Sequence, residues 1–206
     1  MKKRFYSVVR NLKQRKYGDV VVNGMLVLLT ADTVINKQYI SLLAAWRKKV
    51  LRYIPSTRPI TKKGTREWLQ KKVIEERDRL LFFVVADNRP IGHVGLYRYN
   101  AKNNSIVVDN VIRGVAGHPG IMGEALLAMI RWAKKTLHIR TFLVDCSSNN
   151  EKAIALYKRI GFCEIRREPL IRVKTKGGYV FKDAPVHHTG IIKYYRVIFV
   201  MPDAHE

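Results

Sequence analysis

Apolar residues first gather at Met25-Leu26-Val27-Leu28-Leu29, a run of strand length bounded by Gly24 before it and by Asp32 or Thr33 as a helix cap after it. The spacing then changes to three and four. Ile35, Tyr39, Leu42, Leu43 and Trp46 predict one helix that runs into the basic segment Arg47-Lys48-Lys49-Val50-Leu51-Arg52-Tyr53 and stops before Pro55. After the loop Ser56-Thr57-Arg58-Pro59, Thr61 is a plausible cap for a second helix carrying Trp68, Leu69, Val73 and Ile74. Both Trp46 and Trp68 are expected in the core, since an aromatic at helical spacing is more often packing than ligand contact.

Strand patterning returns at Leu80 to Ala86 and Ile91 to Tyr97, joined by Asp87-Asn88-Arg89-Pro90, which is a hairpin signal. A turn at Asn100 to Asn104 leads to the apolar strand Ile106 to Ile112. Then come the glycine-rich turn Arg113 to Gly123, a helix with Ala125, Leu126, Met129, Ile130 and Ala133 on one face, a strand from Arg140 to Asp145, and a helix from Asn149 to Arg159. Glu164 to Val173, a Lys/Gly loop at Lys174 to Gly178 and a long strand from Ile191 to Met201 complete the pattern. No internal repeat or linker interrupts it, so residues 20–206 are expected to form one α/β (α+β) domain, a mixed and mostly antiparallel sheet with helices on both faces. Residues 1–19 form a basic arm in which Phe5, Val8, Val9 and Leu12 recur at helical spacing.

Composition narrows the setting. Thirty-nine Lys+Arg against 16 Asp+Glu give a formal charge of +23, a field that attracts nucleic acid, anionic lipid or phosphate-bearing small molecules. Cys146 and Cys163 have no short-spaced partner and no His/Cys cluster around them, so neither a disulfide framework nor a metal site is suggested and a reducing cytoplasm is the simplest setting. The apolar run Val20 to Ile35 is interrupted by Asn23, Gly24, Thr30 and Asp32 and falls short of a membrane span, and Met1-Lys2-Lys3-Arg4 lacks a signal-peptide core. The arm has two readings: a segment that docks its apolar stripe on the domain, or an attachment to an anionic membrane surface or RNA.

Candidate chemistry centres on the strand, turn and helix from Ile106 onward. The first N–H groups of a helix lack partners and lie at the positive end of its macrodipole, so this turn is suited to an anion. Pro119 fits the first helical position, and Gly120 and Gly123 let a diphosphate approach the backbone. Gly120-x-x-Gly123 is neither the dinucleotide fingerprint nor a P-loop. Farther on, Asn150 is a natural helix cap, Ala153 and Tyr157 share a face, and Gly161 terminates the helix.

These two segments together, the turn with Ala125-Leu126-Leu127 and the run Asn150, Ala153, Leu156-Tyr157, Gly161-Phe162, resemble the GNAT superfamily of acetyl-CoA-dependent N-acetyltransferases. The resemblance implies a splayed central strand pair whose cleft receives the pantetheine arm of acetyl-CoA as cosubstrate. The diphosphate would rest on backbone N–H groups from His118 through Gly120, Ile121, Met122 and Gly123, with Val111, Ile112, Arg113, Asn150 and Ala153 completing the cofactor contacts. Tyr157 would protonate the departing thiolate. Aligned through Ala125-Leu126-Leu127, the chain has His118 where the family has Arg or Gln and Ile121 where it has Gly, so Arg113 or His118 is expected to supply the missing charge.

Trp46-Arg47, Arg58-Pro59-Ile60-Thr61, Leu81-Phe82-Phe83 and Ile91 to Gly95 resemble members that acetylate a nucleotide-linked amino sugar in surface-polysaccharide pathways. The rim cations Arg47, Arg52, Arg58, Lys62 and Lys63 suit such a diphosphate; a protein N-terminus is the second acceptor reading, and a non-catalytic basic module the third. Nucleic acid is not the expected partner. For proton removal from the amine, Asp109 is the leading carboxylate, expected among apolar neighbours that raise its pKa; it reads equally as a hydrogen-bonded structural group. His93, beside glycines expected to open room, is the alternative base, and Glu124 reads as a dipole partner. The long final strand suggests pairing across a homodimer.

Overall fold

The computed structural model describes residues 2–51, 53, 59–175 and 178–202. The rim residues Arg52 and Arg58, the loop from Ser56 to Thr57, Pro55, and part of the loop expected at 174–178 lie outside the described residues. One nine-stranded sheet organises the rest, in the order β1-β2-β3-β4-β5-β6-β9-β7-β8. Its strands are β1 (Val21–Val22), β2 (Leu26–Leu28), β3 (Leu80–Ala86), β4 (Arg89–Asn100), β5 (Ser105–Arg113), β6 (Thr141–Ser147), β7 (Cys163–Thr175), β8 (Gly178–Asp183) and β9 (Tyr194–Met201). Every pairing is antiparallel except β5 with β6.

Alternation along β3 sorts side chains onto two faces. Leu80, Phe82 and Val84 join a core with α1 (Lys2–Lys13), α5 (Ile121–Leu137) and α6 (Glu151–Arg159). Leu81 and Phe83 join a second core with α2 (Ala31–Ile35), α3 (Lys37–Lys49) and α4 (Lys62–Leu69). The helix expected to begin near Ile35 is in fact two. Asn36 breaks it, with backbone in the extended region, and its side chain accepts from the N–H groups of Gln38 and Tyr39 to cap α3. Ile35 is consequently left 76% exposed instead of contributing to the core face. After α4 the helix loosens into one π turn, Gln70–Ile74.

The N-terminal stripe packs inward: Phe5 and Val9 are buried, and Phe5 stacks on Tyr99 with ring centroids 3.8 Å apart. Lys13 closes the contact by donating its ammonium to the carbonyls of Val73 (2.6 Å), Ile74 (3.2 Å) and Glu76, satisfying the end of the π turn; burial lowers this ammonium to about 8. With the apolar stripe engaged, the cations Lys2, Lys3, Arg4 and Arg10 of this helix are the ones turned outward, Arg4 lying 3.2 Å from the His138 ring. Among the described residues no helix is long and apolar enough to cross a membrane.

Of the loop expected at 174–178, Lys174 and Thr175 belong to β7 and Gly178, which pairs with Thr175, to β8, and β9 begins at Tyr194 rather than at Ile191. β9 is not an edge: it pairs with β6 on one side and β7 on the other. That arrangement removes the strand-to-strand dimer suggested by its length, because both its hydrogen-bonding edges are used within the chain.

Phe5→Ala tests whether α1 belongs to the fold. Removing a ring that is only 3% exposed is expected to lower the unfolding free energy by about 3–5 kcal/mol, measured by urea denaturation.

Candidate active site

Among the described residues one strand pair is parallel, and it lies in the middle of the sheet. β5 and β6 pair from Ser105 opposite Thr141 to Val108 opposite Val144, and each strand then continues without the other, to Arg113 and Ser147. Beyond the last pair they part. A cavity of about 390 Å³ opens there, lined by Asp109, Asn110 and Val111 of β5, Asp145, Cys146 and Ser147 of β6, Asn150 and Tyr157. Arg79, Tyr97, Arg98 and Arg196 form its cationic and aromatic side.

A bulge sets where β5 turns away. Asn110 and Val111 together oppose the single residue Val94 of β4, and Asn110 takes a left-handed φ of 52°, a conformation asparagine tolerates. The bulge carbonyl of Asn110 lies 2.7 Å from Nδ1 of His93. His93 is fully buried, and burial lowers its imidazole to about 4, opposed by the Asn110 contact and reinforced by the charge of Arg47. The ring is therefore neutral near pH 7, Nδ1–H donates to the bulge, and Nε2 has no partner among the described residues. His93 does not line the cleft, which corrects its expected role as a base. Its flanking glycines do not open room for a ligand either. A Cβ on Gly92 would stand 2.5 Å from the Ile112 carbonyl and one on Gly95 2.7 Å from that of Leu80, so they permit close strand approach.

Of the two carboxylates at the parting point, Asp109 does not have the apolar isolation expected of it. Its Oδ2 lies 3.0 Å from Arg79 Nε, a charge contact rather than an aligned hydrogen bond, and accepts from Asn110 Nδ2 at 2.7 Å. Arg79 is itself held over the Tyr97 ring at 3.7 Å. Asp145, one residue past the last pair on β6, makes no hydrogen bond or ion pair among the described residues. It keeps an open side to the cleft, yet protein crowds it enough that desolvation raises its carboxyl, with Arg196 and Arg98 pulling the other way.

Tyr157 faces this pair from α6. It is 4% exposed, its ring packs against Phe162 and Phe199, and burial raises its phenol, helped by Cys146, Asp145 and Asp109. The phenol is thus a proton carrier at any ordinary pH. Burial likewise pushes the Cys146 thiol up to about 12, leaving it unreactive as a thiolate. Asn150 caps α6 through its Oδ1, which accepts from Ala153 N–H at 3.3 Å, and its other amide atom is free toward the cleft. Ser147 Oγ is buried beside the cleft with no hydrogen-bond partner among the described residues.

The glycine-rich turn differs in detail from expectation. α5 begins at Ile121, with Gly120 as N-cap at φ 84°, so Pro119 lies outside the helix. Gly123 N–H is taken by the Gly120 carbonyl at 2.8 Å and Ile121 N–H by that of His118 at 3.4 Å, which leaves His118, Gly120 and Met122 as the unpartnered N–H groups. Gly123 instead serves helix packing: a Cβ there would meet Ile160 at 3.1 Å. Arg113 donates through its guanidinium to the carbonyls of Val115 (3.2 Å) and Gly117 and ties the loop together, while its charge stays at the surface beside the turn. His118 lies 3.6 Å from Asp87. Val111 lines the cleft, whereas the Ile112 side chain is buried in the core beneath α3.

A strand pair that parts after four residues, followed by an anion-suited turn and a buried tyrosine, has counterparts elsewhere. Residues 35–163 match the acetyltransferase (GNAT) domain family. The chain belongs to that GNAT family. Solved structures share the fold at low identity. An acetyltransferase described as GNAT-family from Chromobacterium violaceum has a TM-score of 0.65 at 17% identity, covering 92% of this chain and 90% of that one. RimL, a ribosomal-protein alpha-N-acetyltransferase in complex with coenzyme A, has a TM-score of 0.61 at 16% identity, covering 90% and 99%. FdhC, a nucleotide-linked sugar GNAT in its apo form, has a TM-score of 0.61 at 15% identity, covering 91% of each chain. No curated protein matches this GNAT chain.

The neutral burial of His93 has a pH consequence. Its folded pKa of about 4 lies below the ordinary 6.5, so the unfolded chain binds the extra proton first as pH falls. The stabilisation is complete above pH 6.5 and is expected to drain away between 6.5 and 4. Urea midpoints across that window should fall less steeply in His93→Gln than in the parent protein.

Proposed function

We propose that this GNAT domain transfers the acetyl group of acetyl-CoA to a primary amine. The observation that carries the reading is the parting of β5 and β6 beyond Val108 and Val144, with Tyr157 and two carboxylates at the opening. RimL, whose fold is shared, was solved with coenzyme A. In this reading the pantetheine arm occupies the gap, where Val111 and Asn150 meet it, and Ala153, whose N–H Asn150 caps, follows in the first turn of α6. The diphosphate rests on the N–H groups of His118, Gly120 and Met122 at the start of α5, between Ile121 and the loop braced by Arg113.

The chemistry then follows from the protonation states. A neutral amine attacks the thioester carbonyl carbon; the N–C bond forms as the C–S bond breaks. Tyr157, kept protonated by burial, gives its proton to the departing sulfur. The nitrogen sheds one proton to Asp145, the carboxylate without a competing partner, so proton loss and gain balance. Asp109 holds Arg79 over Tyr97 and shapes the acceptor side.

The proposed acceptor is a nucleotide-linked amino sugar. The segments around Trp46-Arg47 and Ile91 to Gly95 support it, as does the shared fold of FdhC. A protein N-terminus is the second acceptor reading, favoured by the equal likeness to RimL. A cytoplasmic setting is part of this reading, supported by two cysteines without a short-spaced partner, and the outward cations of α1 offer themselves to an anionic membrane surface.

Tyr157→Phe is expected to lower kcat at least about 100-fold in a thiol-release assay while calorimetry finds acetyl-CoA affinity unchanged. Asp145→Asn should lower kcat similarly and abolish the acidic limb of the kcat/KM profile, a limb placed above the usual carboxylate range by the raised carboxyl. Full turnover in both variants, or no acetyl-CoA binding, would rule the reading out. A panel of nucleotide amino sugars, amino sugars and peptides assigns the acceptor.

A further inference from the structure

Eight described residues other than glycine have left-handed backbone, and seven of them are Asn, Asp or His, the types that tolerate it. The exception is Arg98, at φ 57°. It stands where β4 bulges against β5: Arg98 and Tyr99 together oppose the single residue Ile106, between the pairs Tyr97–Val107 and Asn100–Ser105. The bulge breaks the alternation that would send successive side chains to opposite faces. Tyr97 and Arg98 consequently both line the cleft, with the guanidinium 5.8 Å from the Tyr97 ring, while Tyr99 is buried against Phe5.

Of the cleft arginines, Arg79 contacts Asp109, and Arg196 is held by Glu168 and Asp183, each at 2.8 Å. Arg98 makes no hydrogen bond or ion pair among the described residues. The bulge seats Tyr99 in the core, but that packing does not call for an arginine at the left-handed position, whose guanidinium is delivered uncommitted to the mouth of the cleft. Asparagine or glycine would make the same bulge at lower strain.

We infer that Arg98 is a specificity-determining residue that binds an anionic group on the acceptor, so that the amine acetylated here belongs to a molecule bearing a carboxylate or phosphate near the reacting nitrogen. A planar guanidinium suits either oxyanion, through paired N–H donors. The Tyr53, Tyr97 and Phe181 side chains around it supply apolar surface for the body of such a molecule. Asp145 repels the anion from the proton-accepting position and favours the approach of the amine end. This inference rests on the acetyltransferase reading and names the acceptor class for the same cleft.

The test compares matched acceptors in the thiol-release assay: glycine against glycinamide, and glucosamine against glucosamine 6-phosphate. The anionic member of at least one pair is expected to have the higher kcat/KM by about tenfold or more, the worth of one charge-assisted contact. The pair that responds distinguishes carboxylate from phosphate. Arg98→Asn is expected to erase the preference by raising KM for the anionic member alone, and Arg98→Lys to restore part of it. Because asparagine accepts this backbone, Arg98→Asn should melt at or above the parent temperature, with acetyl-CoA affinity unchanged. Pairs that are not turned over are compared by thermal shift in the presence of coenzyme A. Acetyl-CoA binding without any anion preference, in turnover or thermal shift, overturns the role of Arg98 alone, as does a preference that survives Arg98→Asn. Absence of acetyl-CoA binding overturns the transferase reading itself.

Discussion

Four residue pairs hold β5 to β6, and the hydrogen-bonding capacity that follows them on each strand is withheld from the other. A sheet normally tolerates no such gap in its middle, since unpaired backbone groups away from water are costly. Here the strands are kept in place from their outer sides. β5 is paired to β4 along nearly its whole length, and β6 is paired to β9 from Phe142 to Ser147. The opening is therefore a property of two well-supported half-sheets rather than of a loose one.

Two bulges bracket the opening and do different work. That at Asn110 and Val111 swings β5 aside, and the buried imidazole of His93 holds its carbonyl from behind. The bulge at Arg98 and Tyr99 turns one side chain into the cleft and the next into the core under α1. Through Phe5 on Tyr99, the N-terminal helix is thus mechanically connected to the acceptor side of the cavity.

Much of the architecture could be read from periodicity. The β3–β4 hairpin, the strand-turn-helix from Ser105 to Leu137 and the Asn150 cap of α6 follow from local rules of patterning, turn chemistry and capping. What escaped was decided by tertiary neighbours. Asp145 and Arg98 look like ordinary outward polar positions of strands, because alternation does not show where two strands cease to pair or where one gains a residue. His93 looked like a base beside open space because a glycine signals close approach without saying what approaches. Gly123 packs against Ile160, a residue of the α6 end, which no spacing within α5 reveals. Arg113 matched a missing cation by charge, but charge alone does not show that its guanidinium also braces the loop through carbonyls two and four residues away.

The position of β9 has a bearing on how the molecule is made. It enters the sheet between β6 and β7, both of which precede it along the chain. Until Tyr194 to Met201 arrive, β6 has neither a full partner on the β5 side nor any on the other, and the β7–β8 hairpin has nothing to join. A nascent chain would carry an exposed, apolar strand edge from the completion of β6 at Ser147 until Tyr194 and acquire the second wall of the cleft only on insertion of this last piece. Assembly of the site is in this sense the closing step of folding, governed by contacts distant in sequence and correspondingly slow.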